Sequence, residues 1–97
     1  MTELRDLTSD QRAVLYALRM VTGRRGLQRA AVDLLQTHTA DKMTRLADGR
    51  RPQPMGLARI RKTLRELAEL GLVVEATRGW WAIHPDGAEL ATALVTR

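Results

Sequence analysis

Leu64-Arg65-Glu66-Leu67-Ala68-Glu69-Leu70-Gly71-Leu72-Val73-Val74-Glu75-Ala76-Thr77-Arg78-Gly79-Trp80-Trp81-Ala82-Ile83-His84-Pro85-Asp86-Gly87-Ala88-Glu89-Leu90 changes its apolar period twice. Up to Leu70 the period is helical. At about 100° per residue, Leu57, Leu64, Leu67 and Ala68 fall on the same side as Ile60, and Arg59, Arg61, Lys62, Arg65, Glu66 and Glu69 occupy the opposite arc. This spacing predicts a helix over 57–70, basic first and acidic last on its outer face, with Gly71 as the residue just past its end. Beyond Gly71 two β-prone runs, Leu72-Val73-Val74 and Trp80 to His84, flank a turn at Gly79, so 72–84 is expected to be a hairpin. If Ile83 faces the core, Trp81 does too, and Trp80 and His84 face outward. Asp86 as cap, with Glu89 three residues on, then starts a last helix through Val95.

Upstream the pattern is helical throughout. Thr8 and Gln11 have capping-box spacing, and Val14, Leu15, Leu18 and Val21 form one apolar face that Gly23 is expected to end. A second helix over Leu27 to Gln36 would bury Leu27, Ala30, Ala31, Leu34 and Leu35, with Arg24, Arg25 and Arg29 around its start. Cations there oppose the helix dipole, so a bound anion would relieve them; an ordinary exposed helix end is the alternative. A short third helix fits Asp41 to Ala47 with Thr39 as cap. The following Arg50-Arg51-Pro52-Gln53-Pro54 cannot be helical, because proline removes two donors and extends the residues before it.

The 97 residues carry 16 Lys+Arg against 11 Asp+Glu, a net of +5, and 44% hydrophobic residues. A chain of this size supports one core, so 1–97 is expected to be a single domain with 1–7 a flexible lead. The charge is uneven: Thr22 to Arg65 holds eleven basic residues against three acids, a net of +8, while the two flanks hold five against eight, a net of −3. Such asymmetry points to a polyanionic partner, the alternative being a basic surface kept for solubility. The absence of cysteine removes thiolate zinc sites, disulfides and cysteine nucleophiles, and leaves His38 and His84 as the imidazoles. No metal or cofactor is expected, and no catalytic residue: no carboxylate pair, nucleophile-base pair or phosphate-binding loop stands out. No run approaches the ~20 apolar residues of a membrane span, and the start lacks a signal-peptide layout. The expectation is a cytoplasmic protein with no membrane partner.

Helices, a basic amphipathic helix ended by glycine, a hairpin and a final helix follow one another in the order of a winged helix-turn-helix domain. The passage Leu64 to Leu90 resembles the helix-to-wing passage of winged-helix regulators. Thr22-Gly23-Arg24-Arg25-Gly26, Ala31-Val32-Asp33-Leu34-Leu35 and Asp41-Lys42-Met43-Thr44-Arg45-Leu46 are in turn similar to the start of the RQC domain, the RecQ C-terminal winged-helix module of RecQ-type DNA helicases. The likeness covers about residues 8–90. It departs where Ala47-Asp48-Gly49-Arg50-Arg51 replaces the family's Gly-His-Asp stretch, and no ATPase motor accompanies the domain. What the resemblance implies is an α+β, mainly α fold, a helical core with a C-terminal hairpin wing and a final helix, that binds duplex or forked DNA without helicase activity of its own.

On that resemblance the exposed face of the basic helix enters the major groove, which makes Arg59, Arg61, Lys62 and Arg65 candidates for base and phosphate contacts. Arg50 and Arg51 read as phosphate clamps. Arg78 at the wing turn can reach a phosphate or the minor groove, and Trp80 can stack on an exposed base. The alternatives are a solubilising helix face paired with Glu66 and Glu69, and tryptophans that simply pack. Two wider readings stand beside one another: a DNA-binding transcription regulator or RQC-like module, with a homodimer reading paired half-sites in the first case, and a protein-interaction module, an adaptor or inhibitor docking an acidic protein partner.

Overall fold

The computed structural model describes residues 2–25, 28–36, 39 and 55–95, with the backbone alone for 24, 25 and 95. Helix α1 (Ser9–Arg25) starts where Thr8 and Gln11 cap each other. Thr8 Oγ1 accepts the Gln11 N–H at 3.1 Å, and Gln11 Oε1 accepts the Thr8 N–H at 3.0 Å. Within the lead segment, Leu4–Asp6 form a 3-10 turn and Leu7 is buried. The expected stop at Gly23 does not occur: α1 continues to Arg25. A helical glycine costs only about 1 kcal/mol, which the burial of Val21 two residues earlier can offset.

The second helix is also corrected. Ala30–Ala31 form a strand, β1, and helix begins only at 32, covering 32–36 (α2). Ala30 lies opposite Trp81 and Ala31 opposite Trp80 in an antiparallel pairing. Alanine is the best helix former, yet here the tertiary pairing prevails, setting a small side chain against a large one on the core face. Thr39 Oγ1 donates to the Gln36 carbonyl at 2.7 Å, and Gln36 Nε2 reaches the Met55 carbonyl at 3.0 Å. The helix expected over Asp41 to Ala47, the loop with Pro52 and Pro54, and His38 lie outside the described residues.

Helix α3 (Leu57–Glu69) buries Ile60, Thr63, Leu64 and Leu67. Leu57, expected on that stripe, stays 37% exposed at the first turn. Thr63 takes a place in the core because its hydroxyl donates to the Arg59 carbonyl at 2.8 Å, which leaves only its methyl to pack. The helix ends on a left-handed Gly71, φ 77°. The Gly71 N–H bonds the Ala68 carbonyl and the Leu72 N–H the Leu67 carbonyl, each at 3.0 Å, the paired bonds of a Schellman motif, and both leucines are buried.

Strands β2 (Val73–Thr77) and β3 (Trp80–Ile83) form the expected hairpin around Arg78-Gly79. Gly79 has φ 81°, and its N–H is held by the Glu75 carboxylate at 3.1 Å. The register runs Val73 to Ile83, Val74 to Ala82, Glu75 to Trp81 and Thr77 to Trp80, with an irregularity between Glu75 and Thr77. Sheet order is β1-β3-β2, so β3 is central. Trp81 is buried at 6% and Trp80 is 41% exposed, as the alternation requires. The fold is therefore α+β and mainly α, with a small antiparallel sheet.

Helix α4 (Pro85–Val95) begins two residues earlier than the expected cap at Asp86 implies. His84, not Asp86, is its cap: the His84 carbonyl accepts the Ala88 N–H at 2.8 Å, and its Nδ1 accepts the Asp86 N–H at 3.2 Å. Proline suits the first helical position, where the missing N–H needs no partner. The Leu72 carbonyl accepts the His84 N–H at 2.9 Å, and Gly87 lies so close that an added Cβ would overlap that same oxygen. Helix α1 packs against α3, α4 and β3, and the core lies where these elements meet. Gly87→Ala is expected to lower unfolding stability by about 1–3 kcal/mol, the cost of overpacking a tight contact. Urea unfolding with an unchanged slope, and Glu89→Ala within about 0.5 kcal/mol of the parent, would check it.

Candidate nucleic-acid interface

The outer arc of α3 divides its cations into two groups. Arg59 is engaged: Nε and Nη2 reach the two Asp10 carboxylate oxygens at 2.8 and 2.6 Å, tying α3 to the first turn of α1. Its Nη1 is left over from this bidentate pair. Next to it Gln11, which already caps α1, donates Nε2 to Glu66 at 3.3 Å. Two acids near the basic face are thus committed to the α1–α3 contact. Glu66 takes a glutamine amide, and no arginine pairs with it among the described residues.

Arg61, Lys62 and Arg65 form the second group. All three are exposed. They fall within an arc of about 100° at helical spacing, so their charges share one face. Among the described residues no carboxylate lies within ion-pair distance of any of them. Glu69 is four residues beyond Arg65 on this face, but the two do not pair. A planar guanidinium fork suits a guanine edge or a phosphate, and an ammonium suits a phosphate.

The hairpin contributes a further cluster that the sequence did not assemble. Arg29, expected at a helix start, instead precedes β1. Its Nη1 donates to Thr77 Oγ1 at 3.2 Å, and its guanidinium stands 5.8 Å from the Trp80 ring centroid. Trp80 is therefore partly covered by a cation on its own sheet, yet remains 41% exposed. Arg78 is exposed at the turn beside it. The Arg29–Trp80 contact follows from the β1–β3 register, for which the sequence carries no local signal.

Arg24 and Arg25 belong to the last turn of α1 rather than to the first turn of a second helix, so the anion site expected there has no helix start to stand on. Their side chains, and Arg50 and Arg51 entirely, lie outside the described residues. His84 is committed to capping α4. No group of three or more His, Asp and Glu in metal-binding arrangement occurs among the described residues, and none of the described helices is long and apolar enough to cross a membrane. No protein-family model, curated protein or solved structure matches the chain.

The Arg59–Asp10 pair is bidentate, but its side chains are 54% and 29% exposed, so solvent screens it. Asp10→Asn is expected to cost at most about 1 kcal/mol at low ionic strength and less in high salt. Urea melts at two salt concentrations measure this directly.

Proposed function

We propose that this chain is a DNA-binding winged-helix protein, engaging duplex or junction DNA through the basic helix 57–70 and the wing 72–84, as a transcription regulator or an RQC-like module. The observation that carries the proposal is the face of Arg61, Lys62 and Arg65: three exposed cations on one arc with no acidic partner among the described residues. Like charges so placed repel one another, and a polyanion converts that repulsion into attraction. The supporting geometry is the order of elements. A helical core leads through Gly71 from the basic helix directly into a hairpin, and a final helix follows.

In this scheme Arg61 and Arg65 present forks to base edges or phosphates, and Lys62 contacts phosphate. Arg59 fixes the angle of α3 through Asp10, and keeps one nitrogen for the backbone of the DNA. Arg50 and Arg51, just before the helix in the chain, act as phosphate clamps. On the wing Arg78 reaches a phosphate or the minor groove, and Trp80, steadied by Arg29, offers its open face to a base. The regulator form would bind as a homodimer on paired half-sites.

Fluorescence anisotropy with labelled blunt and forked duplexes at several salt concentrations tests this. Affinity is expected to fall linearly on a log–log plot, with Arg61→Ala or Arg65→Ala reducing the slope by about 0.9 per lost phosphate contact. Arg5→Ala, whose partner is Glu3, should leave the slope unchanged. Preference for forks selects the RQC-like form, and a two-half-site footprint selects the regulator. Absence of binding to either duplex at low salt overturns the proposal. A stoichiometric complex with an acidic protein that DNA fails to displace replaces it with protein docking.

A further inference from the structure

A cleft of about 480 Å³ opens between the 3-10 turn, the end of α3 and the first turns of α4. Leu4, Leu70, Leu72 and Leu90 supply its apolar surface, and Asp86 and Glu89 its charge. Among the described residues no lysine or arginine lines this cleft. Leu70 is 43% exposed in it, a large apolar side chain left open at a helix end.

Neither carboxylate is paired with a lysine or arginine among the described residues. Asp86 Oδ2 lies 3.7 Å from His84 Nδ1, whose shorter contact, at 3.2 Å, is with the Asp86 N–H. Glu89 is exposed and has no ion-pair partner among the described residues. The volume lies in the range of small-molecule sites. An apolar surface does not hold a bare metal ion, and two carboxylates repel anions.

We infer that this cleft is a binding site for a small organic cation with an apolar body, such as an alkyl or aryl amine. The apolar part displaces water from the leucines, and the ammonium sits at the rim between Asp86 and Glu89. The site is separate from the cations of α3 and stands or falls independently of DNA binding.

The test is an amide-shift NMR titration of the whole chain with n-hexylammonium, n-hexanol and n-hexanoate, which share a chain and differ in charge. Expected are shifts confined to the cleft, and a dissociation constant for hexylammonium at least about tenfold lower than for hexanoate, with hexanol between. The double variant Asp86→Asn/Glu89→Gln should remove the preference for the cation while keeping the hexanol affinity. Leu70→Lys, at a half-open position, places an ammonium in the cleft and should weaken hexylammonium at least about tenfold. Circular dichroism confirms that each variant is folded. Equal affinity for all three probes, shifts scattered outside the cleft, or no shifts up to the solubility limit would each overturn the inference.

Discussion

The peptide of Leu72 is the constraint on which the remaining structure depends. Its N–H closes the end of α3 on the Leu67 carbonyl, its carbonyl takes the His84 N–H where β3 passes into α4, and the same oxygen lies against Gly87. One residue thus sets where the helix stops, where the hairpin leaves and how closely the final helix approaches. The two glycines around it serve different needs. Gly71 supplies the left-handed turn, and Gly87 the room for a carbonyl where any side chain would collide. The side chain of Leu72, buried at 2%, adds to the core, and the residue also lines the cleft.

From that junction outward, the charges separate into paired and unpaired groups. Asp10 and Glu66 hold α3 to α1 through Arg59 and Gln11, so two of the acids beside the basic face are already in use. Arg61, Lys62 and Arg65 are left without an ion-pair partner among the described residues. Asp86 and Glu89 border a cleft that no lysine or arginine lines among the described residues. The same uneven distribution underlies both proposals, a polyanion at one surface and an organic cation at the other.

Several features were legible before any coordinates because their causes are local. The helix at 57, the glycine at 71, the hairpin turn at 79 and the Thr8–Gln11 cap each depend on residues within one or two turns of one another. The outward placement of Trp80 and the inward placement of Trp81 follow from the alternation of a strand. His84 as a cap was less visible, since imidazole is not among the usual capping groups; the proline after it was the available signal. The run past Gly23 was misjudged for a related reason, because a glycine lowers helix stability by an amount that packing can override.

Of the candidate interface, sequence periodicity placed Arg61, Lys62 and Arg65 on one exposed face, and they are there. It could not show that Arg59 on the same arc is held by Asp10, nor that Arg29 lies over Trp80, because these partners are 49 and 51 positions apart in the chain. The strand at Ala30–Ala31 is the clearest case. Two alanines carry no alternation and favour a helix, and they become a strand only because β3 offers a ladder beside them. The sequence by itself determined the elements whose stop, turn and cap residues lie within them. Tertiary structure decided the sheet's third strand, the committed and uncommitted cations and the cleft, because each of these depends on groups that meet only when the chain has closed on itself.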